Sequence, residues 1–135
     1  MSERGSTWLD RARHWGPNAV AGLLGASGVV HLVRPGVFTP MIPSWLPAPT
    51  GLVYASGVAE LACALGLVRR EAWAGSASAA VLVAVFPGNV QMAMDVWADE
   101  ESPAALKTGV LVRLPMQLPM IWAALQGRAN EKRLR

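Results

Sequence analysis

Cysteine is all but missing: Cys63 is the single one in 135 residues. One thiol excludes an internal disulfide, a CxxC redox pair and a thiolate metal site, so electron chemistry here needs a cofactor or a partner, and no metal centre is expected. Cys63 itself reads as a small packing residue. Charge is scarce too. At 16% of residues, beside 53% hydrophobic and a mean hydropathy of +0.32, it falls below the soluble average of about 25%. The shortage is also uneven. Windows 16–33, 50–68, 72–94 and 105–125 hold only three of the 21 charges, Glu60, Lys107 and Arg113. A soluble bundle keeps a charged face on each helix, whereas runs such as Ala79-Ala80-Val81-Leu82-Val83-Ala84-Val85-Phe86 leave no face for water.

At 1.5 Å per residue these windows reach the roughly 30 Å of a bilayer's hydrocarbon core. The sequence therefore predicts an all-α integral membrane protein, a single domain built as an antiparallel four-helix transmembrane bundle. The net charge of +3 is distributed by side. Arg4, Arg11, Arg13, Arg69, Arg70, Arg128, Lys132, Arg133 and Arg135 fall on one side of the spans, and Arg34 and Lys107 on the other. The positive-inside rule then places both termini in the cytoplasm of a bacterial inner membrane. That topology accounts for the basic ends, which can also meet anionic lipid head groups, so no nucleic-acid partner is expected. Val29-Val30-His31-Leu32-Val33 runs directly into Arg34 without a small-x-small cleavage pattern, so the first span is expected to be retained.

Between the first two spans, residues 34–49 carry five prolines, a density that forbids a regular helix. The segment also carries Phe38, Met41, Ile42, Trp45 and Leu46, too apolar for a solvated linker. It is expected at the headgroup level as an anchor, or over the bundle mouth as a lid. The acidic link from Asp95 to Ala104 is expected to stay solvated.

The informative residues are the polar ones inside the spans, because ionisable groups in a membrane helix face the interior and find partners. Counting from the outer helix ends puts His31 at about 3 Å, Asn89 at about 7 Å, Arg113 at about 12 Å, Glu60 at about 15 Å and Gln117 at about 18 Å. Four helices thus offer polar groups in the outer half or near the midplane, which points to one constellation. Glu60 is expected to pair with Arg113. Val53, Gly57 and Ala64 flank Glu60 on one face, and Gly109, Arg113 and Gln117 recur at i+4. Gly22, Gly25, Ala26 and Gly28 give the first helix a face that lets backbones approach. Pro87 and Pro115 each lie two residues from a polar group and are expected to open helical turns beside it. A carboxylate, a guanidinium, an imidazole and two amides can bind the carbonyl or hydroxyl groups of a lipid-soluble ligand.

The stretches Gly28-Val29-Val30-His31-Leu32-Val33-Arg34-Pro35, Tyr54-Ala55-Ser56-Gly57-Val58-Ala59-Glu60, Phe86-Pro87-Gly88-Asn89-Val90-Gln91-Met92-Ala93 and Arg113-Leu114-Pro115-Met116-Gln117 resemble the DoxX-like membrane proteins. The resemblance covers residues 18 to 125 and departs mildly at Gly88, where alanine is commoner. It implies a four-span protein with His31, Glu60, Pro87, Asn89, Arg113 and Gln117 as its shared positions. On some branches it implies thiosulfate:quinone oxidoreduction or membrane redox complexes, and on others a chaperone role. The lack of a cysteine pair counts against an independent thiol oxidoreductase.

The resulting expectation is a quinone or similar molecule bound by His31, Glu60, Asn89, Arg113 and Gln117, with a larger membrane or redox protein as a further partner. Arg113 and His31 would donate to the carbonyls, Glu60 would hold Arg113 or relay a proton, and the amides would orient the ring. One alternative is a structural or chaperone subunit. Another is an isomerase or hydrolase of a lipid-like substrate with Glu60 and His31 as the catalytic acid/base pair. A small multidrug exporter fits less well, since its carboxylate stays free to titrate.

Overall fold

The computed structural model describes residues 7–134, with side chains up to 127. The helices are α1 (Trp8–Val33), α2 (Pro49–Val68), α3 (Ala74–Ala98) and α4 (Ala104–Leu134), and no strand occurs among the described residues. All four are long and apolar enough to cross a membrane. They form a ring in chain order, in which α1 packs most closely on α2 and α3 on α4, so that two helical hairpins face each other. The thinnest seam of the ring lies between α2 and α3.

Both end helices are longer than the spans expected from hydropathy. Thr7 and Asp10 form a capping box that starts α1 at Trp8, so Arg11 and Arg13, expected in an arm, lie on helical turns. At 26 and 31 residues, α1 and α4 reach about 39 and 46 Å, beyond the hydrocarbon core. They overrun at the end of the bundle that bears both termini, where a Cβ on Gly16 would lie 3.0 Å from that of Ala123. Arg4, Arg128, Lys132, Arg133 and Arg135, which carry part of the topology argument, lie outside the residues and side chains described.

Local chemistry explains the turns. At the end of α2, Glu71 N–H closes on the Gly66 carbonyl and Arg70 N–H on that of Leu67, a Schellman closure with Arg70 at φ 59° where glycine is usual. Pro49 starts α2 at the position where a missing N–H costs nothing, preceded by Ala48 at φ 49°. Exposed tryptophans gather near the two ends, as membrane–water interfaces favour. Trp15, Trp73 and Trp122 lie toward the terminal end, while Trp45 and Trp97 lie toward the other, where Trp97 Nε1 donates to the Lys107 carbonyl (3.0 Å).

The apolar core occupies the half nearer the termini. Val20, Leu24, Cys63, Ala64, Leu67, Ala74, Leu82 and Ala124 are buried there, and Cys63 is a packing residue, as its surroundings in the sequence implied. Polar side chains replace them one or two turns further along each helix.

Candidate functional site

The site begins at a glycine crossing. A Cβ on Gly28 would lie 2.9 Å from the Gly57 carbonyl, and one on Gly57 would lie 2.7 Å from the His31 Cβ. Small residues let two membrane helices approach this closely. The approach has a consequence for depth. His31 lies two residues from the end of α1, yet it is level with Gly57, about two turns inside α2. The start of α2 therefore overhangs the end of α1 by about 10 Å. Depths counted from each helix's own end had separated His31 and Glu60; this axial offset brings them together.

Glu60 is 3% exposed, and its Oε2 lies 3.2 Å from His31 Nδ1. Nδ1 also lies 2.7 Å from the Ser27 carbonyl, one turn back on α1. A carbonyl only accepts, so Nδ1 carries the proton and donates it there. Glu60 Oε2 makes close ionic contact with the ring but has no hydrogen-bond partner. The expected Glu60–Arg113 pair is not formed. Arg113 attracts the carboxylate from further off, without closing to ion-pair distance. It sits on an exposed face of α4, because the buried positions there are Val110, Gln117 and Ala124, seven residues apart. The i+4 stripe Gly109, Arg113, Gln117 accordingly does not form one packed face, and Gly109 faces open space.

On the other hairpin, Asn89 Nδ2 donates to Gln117 Oε1 (3.3 Å), and Gln117 Nε2 donates to the Leu82 carbonyl. Pro87 removes the N–H that would close on Val83, and its ring crowds the turn below. Gln117 thus supplies a donor to the loosened turn of α3 from across the α3–α4 interface. Asn89 reaches that turn only through Gln117.

His31, Glu60, Asn89 and Arg113 line one cavity of about 440 Å³. Gln117 lies behind Asn89 and borders a separate, apolar groove of about 410 Å³ between α3 and α4. Four of the five expected residues therefore share a chamber, and the fifth buttresses it. The rest of the wall is mostly apolar, including Val53, Val81 and Val85, with Ser27 and Ser56 as its hydroxyl side chains. Phe38, Met41, Ile42 and Leu46 of the proline-rich segment close it from above. Two 3-10 turns, Pro35–Val37 and Thr39–Met41, shape that segment and fill the recess over the end of α1. Of the two expectations for this segment, its place is that of a lid; Trp45, 77% exposed, keeps the anchoring character at its edge. The Phe38 ring stacks on His31 at 3.7 Å with an 11° interplanar angle. Gly88 lies under the lid, where a Cβ would meet the Met41 carbonyl at an ordinary 3.6 Å, so alanine fits there equally well.

Sequence reasoning did not find Ser27 or the stacking role of Phe38. Ser27 was legible at i−4 from His31, where a helix places a partner. Phe38 was not, since nothing in a loop sequence says which ring it covers. No group of three or more His, Cys, Asp or Glu side chains suited to a metal occurs among the described residues.

Neither a curated protein nor a solved structure matches the chain. A family model described as "Domain of unknown function (DUF8561)" matches residues 20–128, which take in part or all of each of the four helices and every residue of the chamber, and the chain belongs to that family.

Proposed function

We propose that this multi-pass membrane protein binds a lipid-soluble molecule with an oxygen-bearing head group in the chamber under its lid. The observation that carries the reading is the buried His31–Glu60 contact in the wall of an otherwise apolar cavity that also exposes Arg113 and Asn89. An apolar pocket with a few convergent polar groups is the usual form of a small-molecule site. A quinone is one such molecule, in line with the DoxX-like resemblance and its link to membrane redox systems. Arg113 offers N–H donors for a carbonyl oxygen. His31, held through Nδ1 by the Ser27 carbonyl, presents Nε2 as a second polar contact for the head group. In this reading the protein lies in a bacterial inner membrane with both termini in the cytoplasm. Arg11, Arg13, Arg69 and Arg70 at one end of the bundle, against Arg34 and Lys107 at the other, support that orientation.

The test is extraction into mild detergent followed by mass spectrometry of co-purified lipids and proteins. A quinone or other oxygen-headed lipid present in wild type and lost in Asn89→Leu, with the fold retained, is the expected result. A stoichiometric protein partner with no bound lipid would instead make the chain a structural or chaperone subunit.

A second reading is favoured by one observation. A carboxylate against Nδ1, with Nε2 unpartnered among the described residues, is the arrangement of an oriented general base. An isomerase or hydrolase of a lipid-like substrate would use it in that way. Turnover of a supplied substrate that is lost in Glu60→Gln, while binding persists, would establish it.

A further inference from the structure

The chamber contains one cation with no carboxylate at ion-pair distance among the described residues. His31 and Glu60 are in contact and shielded from water, and a bare charge in such a place is the costliest state. The two therefore share one proton as a neutral unit, either imidazolium with carboxylate or imidazole with carboxylic acid. Asn89 is uncharged. Arg113 remains, a permanent charge with no ion-pair or hydrogen-bond partner among the described residues. Lys107 marks the interface level through its carbonyl, which Trp97 holds. Arg113 lies six residues deeper, about 9 Å further into the bilayer, more than its side chain can span by reaching upward alone. A guanidinium at that depth normally faces an anion.

The wall tells where the rest of such a ligand lies. Along the α2–α3 seam the chamber is lined by Leu52, Ala55 and Ala84, all of them exposed at the outer surface of the bundle. With only methyl groups at Ala55 and Ala84, this seam is the most thinly walled part of the chamber, and in a bilayer it would face acyl chains. A head group in the chamber thus has a route for an apolar tail on the side away from the proline-rich segment, whose residues line the other part of the wall.

We infer that the ligand of this chamber is an amphipathic anion, a lipid-soluble molecule whose carboxylate or phosphate head pairs with Arg113 and whose tail leaves between α2 and α3 past Ala55 and Ala84. This rests on the reading of the chamber as a binding site and assigns the charge of its occupant. The carboxylate or phosphate oxygens meet the guanidinium as a two-pronged ion pair. A protonated head oxygen can also donate to Oε2 of Glu60, which accepts no hydrogen bond within the protein.

The test uses the purified full-length chain in an uncharged detergent. Oleate, oleoyl lysophosphatidate, oleyl alcohol and a short-chain ubiquinone are titrated separately, with binding followed by native mass spectrometry and thermal shift. The expected result is that one or both anions bind at least about tenfold more tightly than the alcohol of the same tail. Oleate ahead of lysophosphatidate identifies a carboxylate head, and the reverse order a phosphate. Arg113→Gln should abolish the preference and Arg113→Lys should keep part of it. Ala84→Trp, which fills the seam and leaves Arg113 in place, should weaken all tailed ligands together. Equal binding of acid and alcohol by the wild-type chain would overturn the inference whether or not the Arg113 variants fold. Binding of the quinone alone would overturn it too, while sustaining the chamber as a binding site. Binding of none of the four would end both.

Discussion

Gly57 and His31 meet where α1 and α2 cross: a Cβ added to the glycine would lie 2.7 Å from the Cβ of the histidine. The absence of one methyl group therefore sets the height at which the imidazole stands against Glu60. Gly57→Ala forces the helices apart and should cost about 1–3 kcal/mol, as overpacking of a close-packed site does. Gly22 and Gly109 face open space, so alanine at either should change stability by less than about 0.5 kcal/mol. Chemical denaturation of the three variants in detergent checks this, and equal losses at all three would refute the crossing as the fixed point of the site.

The contact between His31 and Glu60 predicts coupling. Glu60→Gln or His31→Leu alone leaves the other group buried without its partner, which should cost about 3–5 kcal/mol, while the double variant should lose much less than the sum. The cycle between Glu60 and Arg113 should be close to additive, since those side chains do not close to ion-pair distance. Strong coupling in the second cycle and none in the first would mean that Glu60 turns toward α4.

Gln117 holds the α3–α4 hairpin at two points and Asn89 at one. Gln117→Leu should therefore lower the melting temperature more than Asn89→Leu. The scale is about 0.6 kcal/mol for a typical interhelical bond in a membrane protein, with more for the loss of the donor to Leu82. Asn89→Leu should act mainly on ligand retention, because that residue lines the chamber. Equal melting temperatures for the two variants would show that the Leu82 carbonyl finds another donor.

The single cysteine makes topology accessible to labelling. Cys63 is buried in the apolar core and should not react with a membrane-impermeant maleimide. In the proposed orientation, Ser44→Cys, on the lid, should react in intact cells, and Arg70→Cys only after lysis. Labelling of the second variant in intact cells would invert the orientation.

The sequence by itself determined the membrane class, the number of spans and which polar residues lie inside them. Each of these follows from properties that a residue carries wherever it sits: the cost of a charge in hydrocarbon, the 1.5 Å rise and the 3.6-residue period. The face around Glu60, with Val53, Gly57 and Ala64, was legible for that reason and is buried as its spacing implied. The ends of α1 and α4 were less so, because hydropathy marks where the membrane stops and not where a helix does. Only the tertiary structure decided who meets whom. Glu60 turned to His31 rather than Arg113 because α1 ends about 10 Å below the start of α2, an offset set by the Gly28–Gly57 approach and absent from any count along a single helix. The same offset made the recess that residues 34–48 fill, turning a segment whose composition suits an anchor into a lid with Phe38 on the imidazole. Depth along one helix is a local quantity, whereas contact depends on how two helices are displaced relative to each other, and that displacement is fixed by packing.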